Sequence, residues 1–381
     1  MNFGIDIRHL TQPNPSGIGR YTINIINALA EASPDDTFTL FATGTAKTLR
    51  QLPAFSHANV RVVSVKIPNK IFKTLMLLPF GPSMESFLPE RIDAWFFPDS
   101  NIIKTELPYA ITAHDLSYKI FPEFFTSNRR RRHALAKTHK LFKNARAIVA
   151  VSEATKTDLI ELEQIAPNAI SVAPLAAGSA FHPKRTPQDA TFLRPYNIRF
   201  PYFLTLSTLE PRKNIESVIE AYDAWRTKLK RDDAPALVIA GGKGWKTTGI
   251  EKAINAATYR QSIHCVGYIN EVHKPALYRN ATALLFPSFY EGFGLPALEA
   301  MACGTPVITT FTGSLPEVVG DAGILIDPYN VRDLEQAFSL IGSNDAASLR
   351  AELSQRSLAR ASKFSWKNTA KTTLQVLHSL A

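Results

Sequence analysis

A chain of 381 residues is longer than one hydrophobic core usually supports, so two domains are expected. With 45% hydrophobic and 20% charged residues it has the make-up of an ordinary soluble globular protein. The net charge of +10 invites an anionic partner, but no aromatic-interleaved or helix-turn-helix pattern accompanies it, so nucleic acid is not expected. Cys265 and Cys303 sit in apolar contexts and read as buried, reduced thiols, and no His/Cys cluster predicts a metal site. The N-terminus lacks a basic-then-apolar signal segment and no apolar run nears bilayer length, which predicts a cytoplasmic chain.

Short β-rich runs alternate with helical patterns, the signature of parallel sheets flanked by helices. In the first half strands are expected at 2–7, 38–42, 60–65, 94–97, 110–113, 147–151 and 170–173, with helices at 17–31, 127–143 and 153–163. The alternation restarts at 202–207 and continues through 236–240, 263–266, 283–286, 307–309 and 323–326. Pro183, Pro187, Pro195 and Pro201 interrupt a polar stretch between the two series and mark a boundary there. The expected division is 1–183, 184–362 and a terminal helix at 363–381, with Ser365 as N-cap and Trp366, Ala370, Leu374 and Leu377 on one face. Ligands of such sheets bind beyond the carboxyl ends of the strands.

Several motifs fall at those ends. Pro13–Tyr21 joins the first strand to the first helix, and Gly17 and Gly19 allow close backbone approach, but the spacing is not a dinucleotide fingerprint. Gly241-Gly-Lys-Gly-Trp245 fails the same test. His114-Asp115 emerges from a strand end, where a lone histidine is more often structural than catalytic. Ser207-Thr-Leu-Glu-Pro-Arg-Lys-Asn214 places Arg212 and Lys213 in a strand–helix loop, suited to a diphosphate or to an exposed helix start.

Two further features point outward. Eight Lys/Arg and no acid lie between Arg129 and Arg146, beginning with Arg129–Arg132; such a run is commonly a solvated face and otherwise attracts anionic lipid or phosphate. Ile71–Phe80, flanked by Lys66, Lys70 and Lys73, reads either as a core helix or as a basic amphipathic one.

The densest segment is Phe286–Thr310, which reads strand, glycine loop, helix, glycine stop, strand. Gly292, Phe293, Gly294 and Leu295 lead into a helix whose N-terminal N–H groups suit a phosphate. Glu291 stands in the loop and Glu299 on the helix, where it either meets ligand hydroxyls or is simply solvated.

The run Glu291-Gly-Phe-Gly-Leu-Pro-Ala-Leu-Glu-Ala-Met-Ala-Cys-Gly-Thr-Pro-Val307 closely resembles the donor-site text of retaining glycosyltransferases of family 4, with two glutamates separated by seven residues. Glu210-Pro-Arg-Lys-Asn214, His114-Asp115 and the first glycine loop are similar to that family as well, so the resemblance covers both halves. It implies a GT-B fold: an α/β chain of two Rossmann-like parallel-sheet domains facing each other across a cleft, the terminal helix crossing back to the first.

It further implies a mannosyltransferase-like enzyme that moves a hexose, with retention and without a metal, from a nucleotide diphosphate sugar to a saccharide or lipid-linked saccharide acceptor in surface polysaccharide or lipopolysaccharide assembly. GDP-mannose is the favoured co-substrate, and no resident cofactor is implied. By the same resemblance Glu299 takes the ribose, and Lys213 and Arg212 with the amides of Gly292–Leu295 take the diphosphate. Glu291 and His114 hold the sugar, Tyr268 lies at the base, and Gly17 and Gly19 lie near phosphate and acceptor. Many relatives carry a phosphate-binding arginine where this chain has Ser207, and Arg212 is the residue placed to compensate. A lipid-linked acceptor would bring the chain to the inner face of the cytoplasmic membrane through Arg129–Arg132 and Ile71–Phe80. The rival readings are a silent sugar-nucleotide-binding protein and a donor-hydrolysing enzyme.

Overall fold

The computed structural model describes residues 1–12, 17–229 and 234–380. Pro13–Ser16 of the first glycine loop and the side chain of Arg132 lie outside that description. The chain divides into two compact units, Met1–Leu175 with Ser365–Ala381 and Ala176–Phe364.

The first unit holds a seven-stranded parallel sheet. Its strands are β1 (Asn2–Asp6), β2 (Thr37–Thr43), β3 (Val60–Val65), β4 (Ala94–Phe97), β5 (Tyr109–Ala113), β6 (Ala147–Ala150) and β7 (Ile170–Val172). Their order is β3-β2-β1-β4-β5-β6-β7, so the chain reverses its direction of travel across the sheet between β1 and β4. Runs such as Ala94-Trp-Phe-Phe97 are buried at every residue, the pattern of strands covered on both faces.

The second unit repeats the plan with β8 (Tyr202–Leu206), β9 (Ala236–Ala240), β10 (Ile263–Gly267), β11 (Ala283–Phe286), β12 (Val307–Thr310) and β13 (Gly323–Ile326). The order β10-β9-β8-β11-β12-β13 puts its switch point between β8 and β11. Phe203 on β8 packs against Trp225 and Phe338 from the two helices that cover this face, with ring centroids 5.7 and 5.0 Å apart. Each such ring, fully buried, contributes about 2–3 kcal/mol of transfer free energy.

All thirteen expected strands form. The expected helix at 127–143 does not run through: Lys137 adopts φ 49° and splits it into Ser127–Ala136 and Thr138–Asn144. The break turns Leu141 and Phe142 into the core, while Arg129, Arg130 and Arg131 stay exposed on the first piece. Cys265 corrects a second expectation. It is a free thiol, but exposed, because β10 is an edge strand whose alternate residues face solvent; Cys303 is free and buried.

The junction falls between Leu175 and Ala176, ahead of the proline stretch at 183–201. That stretch packs with the second unit because Asp189 pairs with Arg279 at 2.7 Å and the His182 carbonyl accepts from the same guanidinium. The terminal helix Trp366–His378 belongs to the first unit. Ser365 caps it, Ala370, Leu374 and Leu377 are buried, and Thr369 donates to the Pro174 carbonyl at 2.5 Å.

Candidate functional site

Three loops leave the carboxyl ends of β8, β11 and β12 side by side and converge on Glu291. The β8 loop makes a single turn over Pro211–Lys213, with Glu210 extended before it and Asn214 left-handed (φ 56°) after it. Asn214 donates to the Pro328 carbonyl at 2.8 Å, which fixes the far end of the turn. The β11 loop joins it where the Phe289 N–H donates to the Arg212 carbonyl at 2.9 Å.

Side chains then close the cluster. Arg212 Nη1 donates to the Tyr290 carbonyl at 2.6 Å and to Glu291 Oε2 at 3.0 Å, while Nη2 donates to Glu210 Oε1 at 2.8 Å. Lys213 Nζ donates to the other oxygen of Glu291 and lies 5.2 Å from the centre of the Phe286 ring. From the β12 loop, the Ser314 N–H and hydroxyl donate to the Glu291 carbonyl at 3.1 and 2.9 Å. Burial would raise the Glu291 carboxyl, but the charges of Arg212 and Lys213 and the Lys213 hydrogen bond overcome it and hold it at about 2. Glu291 is therefore an anion between two cations, at the switch point of its sheet.

Past Glu291 the loop enters the helix Leu295–Ala302 through Gly294, which adopts φ 99°. That left-handed conformation is what calls for glycine; a Cβ there would also come within 2.7 Å of the end of the Leu315 side chain, which can give way. Pro296 occupies the first turn, where its missing N–H costs nothing. Glu299 faces the interior and is not a solvated helix residue. It is buried and accepts from the Tyr278 hydroxyl at 3.0 Å. Gly292, Phe293, Gly294 and Leu295 thus line the passage from Glu291 to the helix that carries Glu299. Tyr268 is 48% exposed beyond β10, whose last carbonyl, at Gly267, accepts from the Gly241 N–H at 2.7 Å.

In the first unit, His114 follows β5 and its Nε2 bonds the Pro98 carbonyl at 2.7 Å. A ring nitrogen facing a carbonyl must carry the proton, which leaves Nδ1 as the acceptor of the neutral ring. Burial lowers the histidine below its ordinary range despite that bond and Asp115, so the neutral form is the resting one. Tyr21 stands edge-on to it at 4.9 Å, and Asp115 is occupied in capping Ser117. Gly17 begins the helix Gly17–Ala32 and Gly19 is buried in its first turn.

Sequence reasoning missed Glu210, Tyr278, Gly313 and Ser314. Ser314 had a signal: Ser314-Leu-Pro316 repeats the helix start Gly294-Leu-Pro296. Among the described residues no group of three or more His, Cys, Asp or Glu is placed to hold a metal ion. Among the described residues no helix is long and apolar enough to cross a membrane. The helix Asn69–Leu77 buries Phe72 and Met76, whereas Ile71 and Leu77 on it, and Leu78 and Phe80 just past it, are exposed.

Residues 15–176 match the family described as Glycosyltransferase Family 4, and residues 194–360 match Glycosyl transferases group 1. The chain is 31% identical over 372 residues to the O-antigen chain mannosyltransferase B of Escherichia coli, covering 94% of this chain and 95% of that one. Among solved structures it is similar to sucrose-phosphate synthase from Thermosynechococcus elongatus, with TM-score 0.77, 19% identity and coverage of 100% and 98%. It is also similar to WaaG, a glycosyltransferase involved in lipopolysaccharide biosynthesis, with TM-score 0.70, 16% identity and coverage of 98% and 99%. The two parallel-sheet units are thus those of the GT-B fold. With a relative this similar along almost its whole length, and with both halves matched, the chain is a glycosyltransferase and belongs to glycosyltransferase family 4.

Proposed function

We propose that the chain transfers mannose from GDP-mannose to a saccharide or lipid-linked saccharide acceptor of an O-antigen-type polysaccharide, with retention and without a metal. The observation that carries the reading is the Lys213–Glu291 pair at the switch point of the second sheet. A cation beside a helix N-terminus suits a leaving diphosphate, and a carboxylate kept ionised beside it suits the hydroxyls of the departing sugar. The sugar assignment draws on the relative, whose name is that of an O-antigen mannosyltransferase.

In the proposed reaction the bond from the anomeric carbon to the diphosphate oxygen breaks. The acceptor oxygen bonds to the same face, and the acceptor proton passes to the leaving phosphate oxygen. Lys213 and the amides of Gly292–Leu295 take up the diphosphate charge, Glu299 binds the ribose and Tyr268 lies by the base. His114, neutral with Nδ1 as acceptor, takes a hydrogen bond from a sugar hydroxyl, and Gly17 and Gly19 keep the backbone open for phosphate and acceptor.

Transfer is tested with GDP-, UDP-, dTDP- and ADP-sugars, with and without a mannose-bearing acceptor and with EDTA present, reading the product anomer by NMR. An α-linked product formed from GDP-mannose in EDTA supports the reading; nucleotide release that never depends on acceptor, or an inverted product, ends it. The exposed Ile71, Leu77, Leu78 and Phe80, with Lys66 and Lys70 exposed beside them, are proposed to rest on anionic lipid at the cytoplasmic face of the membrane, aided by Arg129–Arg132. Co-sedimentation with phosphatidylglycerol vesicles should fall about tenfold in Phe80→Asp, the size of one lost aromatic anchor; equal sedimentation of both proteins rejects that surface.

A further inference from the structure

Arg212 and Lys213 are neighbours on one turn, and both reach Glu291, yet they are held very differently. Arg212 is tied at both main chain and side chain. Its carbonyl accepts from Phe289, Nη1 serves the Tyr290 carbonyl and Glu291 Oε2, and Nη2 is held by Glu210 Oε1. Glu210 is itself 4% exposed and its carbonyl accepts from the Lys213 N–H at 3.1 Å, so it is fixed by the turn it opens. The guanidinium fork is rigid, and turning it toward a ligand would break bonds to two carboxylates and a carbonyl. Lys213 ends in a point charge on a flexible stem, and its ammonium sits on Glu291 Oε1 over the Phe286 ring.

Charge counting leads the same way. Glu210 and Glu291 balance Arg212 and Lys213, so the cluster is neutral while it holds no ligand. From these four side chains a diphosphate gains attraction only by drawing a cation off a carboxylate. Lys213 can be drawn off at the loss of one ion pair, and its departure bares Glu291 Oε1 toward the incoming sugar.

We propose that Arg212, clamped by Glu210, is a positioning residue that holds Glu291 in place, and that Lys213 alone of the two exchanges its carboxylate for the diphosphate. Arrival of the diphosphate and release of one Glu291 oxygen are then a single event. This rests on the assignment of Glu291 to the sugar and replaces the expectation that Arg212 neutralises the diphosphate.

The test uses the full chain with Arg212→Gln, Arg212→Lys, Lys213→Gln and Glu210→Gln. Calorimetry with GDP and with UDP should show Lys213→Gln weakened about tenfold, as for loss of a charge-assisted bond, and both Arg212 variants within about threefold of the parent. In turnover Arg212→Gln should lose about 100-fold in kcat with little change in donor KM, the cost of a displaced reacting group. Glu210→Gln should lose about tenfold, the cost of one charged hydrogen bond. Carbon-13 NMR of the Glu291 carboxyl supplies a readout that loss of packing alone does not move. Its titration should rise in Arg212→Gln and stay low in Arg212→Lys, which keeps the charge and also serves if the glutamine variant fails to fold. Equal loss of nucleotide affinity in Arg212→Gln and Lys213→Gln, or an unmoved Glu291 titration, overturns the proposal. The titration needs no donor, so if no sugar is transferred the proposed function fails while this result still reads on Arg212.

Discussion

Both sheets carry an acid and an arginine two residues apart beside the switch point: Asp6 and Arg8 at the end of β1, Glu210 and Arg212 beyond β8. The two pairs have different fates. Arg8 gives both Nε and Nη2 to Asp6, at 2.8 and 2.7 Å, and the same Nη2 reaches the Ile102 carbonyl at 3.0 Å while Phe72 covers the guanidinium at 5.1 Å. One acid meets one base, both are nearly inaccessible, and the pair is a lock on the fold. Arg212 instead divides itself between two acids, because the β11 loop delivers Glu291 and the turn delivers Lys213. An extra carboxylate and an extra ammonium turn the same local element into a site that a ligand can rearrange.

The sharpest way to break this comparison is Glu291→Gln. If Glu291 holds the sugar as proposed, transfer should fall about 1000-fold, the scale of a lost electrostatic partner of the reacting centre. GDP should bind about threefold tighter or better, because Lys213 is released from its carboxylate and a charged bond no longer has to be given up. Initial rates and calorimetry on the same preparation check both halves, and weaker GDP binding would mean that Glu291 helps seat the nucleotide. Asp6→Asn asks the opposite question of the first unit. It strands a buried guanidinium, and urea unfolding should show a loss of about 4 kcal/mol. A loss as large in Glu210→Gln would erase the distinction between lock and site.

Acid should separate the two regions as well. His9 lies beside Asp6 and Arg8 and bonds Thr22 at 2.8 Å. Burial brings it from 6.5 to about 4, Asp6 opposes that fall, and His114 and Arg8 reinforce it. Because the unfolded chain takes up this proton first, the first unit loses stability as pH falls from 6.5 to about 4, by up to about 3 kcal/mol. Glu291 is lowered from 4.5 to about 2, so its contribution is complete above 4.5 and is lost as pH falls toward 2. Hydrogen exchange of β1 and β11 should therefore accelerate in two successive pH windows. His9→Gln should flatten the upper window and leave the lower one in place.

Most of the fold was legible because a parallel sheet buried on both faces writes each strand as an apolar run, and Ala94–Phe97 or Ala283–Phe286 admits little else. Glu291, Lys213 and Glu299 were legible as a motif. What the motif left open was the side on which each group is held. The bonds from Arg212 to Tyr290 and Glu291 join residues 78 and 79 positions apart, and neither spacing nor periodicity carries that information. The break at Lys137 escaped for a related reason. The charged run reads as one helix, and only the need to bring Leu141 and Phe142 to the core cuts it.

Gly313 is the least conspicuous part of the site and gives the smallest effect. It adopts φ 57°, and a Cβ added there would come within 2.7 Å of the Glu291 carbonyl and 3.2 Å of its nitrogen. The following Ser314 bonds that same carbonyl twice, so the β12 loop fits tightly against the backbone of Glu291. Gly313→Ala should cost about 1–2 kcal/mol from the left-handed conformation alone. If the contact matters to Glu291, kcat should also fall, by about tenfold, for a shift of well under 1 Å in a reacting group. Donor KM should hold, since Lys213 bonds the Glu291 carboxylate and not the main-chain carbonyl that this loop touches. A stability loss with unchanged kcat would show that the loop can yield, and that Arg212 and Lys213 suffice to place Glu291 without it.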